Sequence, residues 1–305
     1  MSPTPPLPTY ARVFASLDAL FSIVLSIFFG GATKALVIRF NSQDLIGFSQ
    51  SLAPIVVFCL VYSSRFGSFR NILIGIGHSL IPSRLFFPRL FVIHVVQFII
   101  LLISWPQYLT LSSISQIISC GSTTSILWAP LFEEIAFRLV AFYIALQRSG
   151  GDVTFAAINS ACLFGAIHIA NVYATGATSL YAWMQVAQAA IVGFTWTLMF
   201  AKNGCLFDTI VLHSINNFIA IVYLSQQVSS GVSKNCTEAI SSTAISYTLV
   251  ASLLCQVFAY SLEAVFSWSF LEKLAIEKNG IVLLRKMHPI MYQSKPLLST
   301  RQKTN

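Results

Sequence analysis

The sequence predicts an all-α protein, a polytopic membrane bundle of about eight transmembrane helices, and three observations predict it. Of its 305 residues, 56% are hydrophobic and only 9% charged, with a mean hydropathy of +0.76; soluble domains carry about 25% charged residues. Apolar stretches long enough to cross about 30 Å of hydrocarbon as helices recur along the chain. Most of the basic residues fall between these stretches or near their ends rather than in one patch, and Arg138 lies within one.

Taken in order, the spans run Leu17 to Val37, Ile46 to Tyr62, Phe86 to Trp105, Ser125 to Leu146, Phe155 to Tyr173, Tyr181 to Ala201, Leu206 to Leu224 and Ala244 to Leu271. Each has the length and apolarity that a bilayer demands of a helix. Ile72 to Ile81 and Leu109 to Cys120 are apolar but short, and read as interfacial or re-entrant pieces. The chain thus divides into a short cytosolic N-terminal segment (1–12), a membrane domain (13–271, its motif region 125–225) and a basic cytosolic tail (272–305).

With both termini in the cytosol, the inside segments hold Arg12, Arg65, Arg70, Arg84, Arg89, Arg148, Lys202 and seven basic residues of the tail. The outside loops hold Lys34, Arg39 and Lys234, and the positive-inside rule favours that orientation. The scattered +8 charge excludes a nucleic-acid footprint. Asn235-Cys236-Thr237 falls in an outside loop as a glycosylation sequon, and the tail ending Arg301-Gln302-Lys303-Thr304-Asn305 is similar to a basic endoplasmic-reticulum retrieval signal. No C-x-x-C spacing or disulfide framework is present, and the first span serves as the insertion signal.

Chemistry is expected where charge enters the membrane. Glu133-Glu134-Ile135-Ala136-Phe137-Arg138 places three ionisable groups in an apolar run, at a cost of roughly 2.5 to 3.5 kcal/mol for a carboxylate near the bilayer centre. Pro130 places the glutamates near a helix start. Glu134 and Arg138, four residues apart, share a helix face and can pair, while Glu133 points about 100° away and stays free for water or substrate. His168 follows in the fifth span, on one face with Phe164, and Gly165 and Ala166 beside it allow a neighbouring helix to approach. His213 and Asn217 lie one turn apart in the seventh span, with Asn216 off that face. A base, two imidazoles and a carboxamide are the set that water attack on a carbonyl requires: a glutamate to accept the water proton, a histidine to hold the water and pass protons, and imidazole and amide donors to stabilise the oxyanion.

Glu133-Glu134-x-x-x-Arg138, Phe164-x-x-x-His168 and His213-x-x-x-Asn217, in that order, resemble the three motifs of the type II CAAX prenyl endopeptidases and the wider CAAX-protease and bacteriocin-processing family of intramembrane proteases. The resemblance covers roughly residues 125 to 225. It implies that Glu133 and His168 activate water, that His213 and Asn217 form the oxyanion hole and that Glu134 with Arg138 supports the site. It also implies an activity, removal of the last three residues of isoprenylated CAAX proteins at the endoplasmic reticulum. After His168 the chain continues Ile169-Ala170-Asn171, without the further histidines of eukaryotic prenyl proteases.

Other readings stand beside this one. No cofactor is expected; a zinc-dependent version would use Glu133, His168 and His213, although no H-E-x-x-H is present. Glu134 and Arg138 also suit a structural ion pair, and a proton path in a transporter, a non-catalytic scaffold or a peptidase with a non-prenylated substrate are the alternatives. His78 and His94 read as packing residues, Asp208 as a carboxylate that reaches the interface, and Glu263 has no assigned role.

Overall fold

The computed structural model describes residues 9–38, 42–66, 74, 76–104, 123–149, 151–170, 180–229 and 247–276. The Leu109 to Cys120 piece, the Asn235 sequon and the basic tail beyond residue 276 lie outside the described residues. Among the described residues there is no strand. The long helices are α1 (Thr9–Val37), α2 (Gln43–Phe66), α3 (Phe86–Ser104), α4 (a continuous run over 124–148), α5 (Val153–Ile167), α6 (Leu180–Asn203), α7 (Leu206–Ser229) and α8 (Tyr247–Ile276). Each corresponds to one apolar run read from the sequence. Among the described residues, three helices are long and apolar enough to cross a membrane, within α1, α6 and α8; shorter apolar stretches lie in α2, α3, α5 and α7. The Ile72 to Ile81 piece is described from residue 76 as one helical turn followed by a bend.

Helix α4 is the core. Residues 135–146 are all buried, as an all-round apolar helix inside a bundle must be. It is wrapped by α1, α2, α5 and α7, while α6 packs on α5 and α8, and α8 on α3. Large apolar side chains such as Phe14, Phe21, Phe28, Phe87, Phe91, Phe258 and Phe266 stay exposed on the outer helices. That pattern suits lipid as solvent and would be a liability in water.

Successive helices run in opposite directions, and polar contacts at their ends record it. At one end, Arg12 of α1 pairs with Asp152 at 3.2 Å and Arg148 of α4 pairs with Asp18. Asp152 also caps α5, accepting from the Phe155 N–H at 2.9 Å. At the other end, Asp44 of α2 accepts from Thr123 at 2.5 Å and from the Trp128 indole at 3.1 Å. Midway, α5 and α6 approach closely: a Cβ on Gly193 would lie 2.7 Å from the Phe164 ring, and one on Gly165 would lie 3.0 Å from the Ala190 Cβ. The small residue expected beside His168 is therefore the one at a helix crossing.

The predicted helix start near Pro130 is corrected. The run continues back to Thr124 through a π-helical segment, Thr124–Trp128, and a second π segment, Ile135–Ala141, follows the glutamates. Glu133 and Glu134 therefore lie well inside the helix, away from its terminal dipole. In a π turn the Ser125 carbonyl would accept from residue 130, but proline has no N–H. That carbonyl instead accepts from the Asn217 amide of α7 at 2.8 Å. Neighbouring hydroxyls meet two other α4 carbonyls: Ser51 donates to Trp128 at 2.9 Å and Ser160 to Phe137 at 2.8 Å.

Candidate active site

Around the start of the second π segment of α4, four ionisable side chains converge. Arg138 Nη2 donates to Glu134 Oε1 at 3.3 Å, and its Nε lies 3.1 Å from Oε2. Both side chains are fully buried. The guanidinium carbon sits 4.6 Å from the Phe164 ring centroid and 5.8 Å from that of Trp196, so aromatic faces meet the donors that Glu134 leaves unbonded.

His213 of α7 reaches into this pair. Its Nδ1 lies 3.0 Å from Glu134 Oε1, and its Nε2 lies 3.6 Å from Glu133 Oε2. The imidazole thus spans both carboxylates. Glu134 is shared between Arg138 and His213, where the sequence pattern led us to expect Arg138 alone. A carboxylate on Nδ1 makes that nitrogen the donor and leaves the Nε2 lone pair facing Glu133 in the neutral ring. Glu133 Oε2 is buried and makes no hydrogen bond.

His168 caps the end of α5. Its Nδ1 donates to the Phe164 carbonyl at 2.8 Å, so the neutral ring presents Nε2 as acceptor. The Phe164 ring contacts both histidines, 4.8 Å from His168 and 5.7 Å from His213 by centroid. Asn217, one turn beyond His213, holds the Ser125 carbonyl with one amide hydrogen and retains the other. Side-chain exposure rises from 0% at Arg138 and Glu134 to 6% at His213 and 24% at Glu133. The site therefore opens toward the end of the bundle where α4 begins.

The structure thus brings Glu133, Glu134, Arg138 and His213 into direct contact, sets Asn217 one turn away and joins His168 to His213 through the Phe164 ring that both touch. Sequence reasoning missed Trp196, whose ring stacks against His213 at 4.8 Å, and the whole contribution of α8. A fully buried tryptophan in a generally apolar span carries no signal in one dimension. For zinc the fit is poor: among the described residues no group of three or more His, Cys, Asp or Glu side chains is arranged to hold a metal ion.

Several other expectations change. Asp208 is not extended to the outside; it is buried and pairs with Arg89 at 3.5 Å. Glu263 gains a partner, Arg89 Nε at 3.1 Å. His94 is a buried packing residue bonded to Gln97 at 2.8 Å, whereas His78 is exposed.

Fold and site define an all-helical membrane protein with a buried glutamate, histidine and arginine cluster at its core. Residues 115–219, about a third of the chain, match the family model described as Rce1-like, type II CAAX prenyl endopeptidase, and that stretch holds all three motifs. The family resemblance drawn from the motifs is shown over that segment, and it supports a membrane-embedded protease of the CAAX-protease and bacteriocin-processing type. No curated protein and no solved structure matches the chain.

Proposed function

We propose that this chain is an intramembrane endopeptidase that removes the C-terminal tripeptide from isoprenylated CAAX proteins. One observation carries the reading: Glu133 Oε2 lies buried and without a hydrogen bond 3.6 Å from His213 Nε2, at the edge of a cluster that opens progressively to the outside. A water bound there gives its proton to Glu133 as its oxygen forms the new C–O bond. His168, with Nε2 as acceptor, orients the water. The free hydrogen of the Asn217 amide and a protonated His213 Nε2 face the oxyanion. Collapse of the intermediate breaks the C–N bond, and the proton held by Glu133 passes to the leaving amine. Glu134, fixed by Arg138, keeps His213 in one orientation.

In this reading the prenylated C-terminus and the lipid bilayer are the partners, the endoplasmic reticulum membrane is the location in a eukaryotic cell, and no metal takes part. Cleavage of a farnesylated CAAX peptide that persists in chelator supports the last point, and loss of cleavage restored by zinc overturns it. A product-resolved assay with farnesylated and unprenylated peptides tests the substrate. Release of an intact tripeptide from the farnesylated peptide alone is expected; equal release from both makes the enzyme a related peptidase with a broader substrate. A cytosolic substrate also needs the α4 N-terminal end to face the cytosol, the reverse of the orientation that the count of basic residues favours. Cysteine labelling at Asp44 and at Arg12 in sealed membranes decides which end is cytosolic.

A further inference from the structure

Behind His213 lies a second layer of polar and aromatic groups that the motifs do not include. Asn216, neighbour of Asn217 on α7, turns toward α8. Its Oδ1 accepts from the Gln256 amide and, at 3.4 Å, from the Tyr260 hydroxyl. Gln256 in turn accepts from Gln188 of α6. Gln256 and Tyr260 are 3% and 0% exposed, so this chain of amides runs through the interior, where an unpaired polar group is costly. The Tyr260 ring is anchored on several sides. It meets Trp196 edge-on at 5.8 Å and His94 at 6.4 Å, and its backbone carbonyl accepts from Thr195 at 3.1 Å. Trp196 is the residue that stacks on His213.

These contacts reach α7 by two routes. One runs through the Asn216 side chain; the other runs through Trp196 to the imidazole. On the opposite flank, Asn217 grips the Ser125 carbonyl that Pro130 leaves unpaired. Neighbouring residues of a helix diverge by about 100°, so holding Asn216 from α8 and Asn217 from α4 fixes the rotation of α7 about its axis. His213 lies one turn before them.

We propose that Tyr260 and Gln256 are positioning residues of the active site. They set the rotation of α7 that presents His213 to Glu133 and Glu134, and they do so from a helix outside the 115–219 segment that matches the family. The proposal rests on the endopeptidase reading for its kinetic test and not for its geometric one.

The kinetic test compares full-length parent, Tyr260→Phe and Gln256→Met in membranes with a farnesylated CAAX peptide. Both substitutions preserve shape and remove one hydrogen bond to Asn216. The expected result is a kcat lowered about ten- to hundredfold, as small misplacements of reacting groups produce, with KM and protein abundance at parental values. A raised KM at unchanged kcat, or parental kinetics in both variants, overturns the proposal. If Tyr260→Phe fails to accumulate, Gln256→Met carries the test alone. The geometric test needs no activity. A Ser125→Cys, Asn217→Cys pair is oxidised, and the crosslinked peptide is quantified with and without Gln256→Met. Slower crosslinking with Gln256→Met supports the proposal, and parental crosslinking overturns it. A parent that cleaves no prenylated peptide while the crosslink responds to Gln256→Met removes the substrate reading and leaves the positioning intact.

Discussion

Two buried clusters in this bundle are built from the same parts, one arginine and two carboxylates, and differ in how completely those parts are satisfied. Near the start of α7, Arg89 pairs with Asp208 and Glu263. Asp208 also accepts from the Ser83 N–H at 3.0 Å, the Ser83 hydroxyl, the Cys205 thiol at 3.0 Å and Asn203 at 3.5 Å, while Glu263 accepts from Ser267 at 2.9 Å. In the α4 cluster, Glu133 Oε2, Glu134 Oε2, Arg138 Nε and Arg138 Nη1 make no hydrogen bond. The second cluster also holds an imidazole, His213, which meets both of its carboxylates. A saturated network clamps helices; an unsaturated one keeps polar atoms open to a further partner. Local sequence does not separate the two, because both read as isolated charges in apolar spans.

The sharpest way to break the comparison is to neutralise one carboxylate in each cluster. Glu133→Gln is expected to lower cleavage of a farnesylated peptide by about 10³-fold at parental abundance. Glu263→Gln is expected to leave turnover per folded molecule near parental and to lower the melting temperature in detergent. Full activity in Glu133→Gln would remove that residue from the chemistry.

Removing the arginines should erase the difference. Arg138→Met and Arg89→Met each strand buried carboxylates, at an expected cost of about 3–5 kcal/mol, read as a fall in folded protein on denaturant titration. A stable Arg89→Met would mean that the first cluster is not the clamp described. A smaller effect is expected at Pro130. Pro130→Ala returns an N–H to the Ser125 carbonyl and releases Asn217, so stability holds or rises by up to about 3 kcal/mol while turnover drops several-fold. Lower stability with unchanged turnover would uncouple Pro130 from the site.

The smallest effect belongs to Asp44, fully exposed at the tip of α2. The Thr123 hydroxyl, and after it the Trp128 indole, hold its carboxyl below the ordinary carboxylate range. A depressed folded-state value stabilises the protein above the ordinary range, and that contribution is lost as the pH falls through the folded value. Melting curves of parent and Asp44→Asn should differ slightly near neutrality and converge in strong acid; divergence in acid would reverse the sign.

Much of this was legible in one dimension. Eight apolar runs became eight helices, because a span's hydropathy and length are local properties that the bilayer reads directly. The Glu134–Arg138 pair followed from i, i+4 spacing and survives within the second π segment. The helix start at Pro130 did not survive, since the proline is accommodated by a preceding π turn and a donor from α7. The burial of Asp208 was equally hidden, as its arginine lies 119 residues away.

By itself, then, the sequence determined a membrane helical bundle, its order of helices and the three motifs that lie in the segment matching the family model, the first two carried by composition and short-range period. Only the tertiary structure decided that His213 meets Glu134 across 79 residues of chain, that the Phe164 ring touches both histidines and that α8 meets α7 through Asn216. Helical period fixes the face on which a residue lies; which other face it meets depends on how the helices pack and rotate, and no local pattern encodes that.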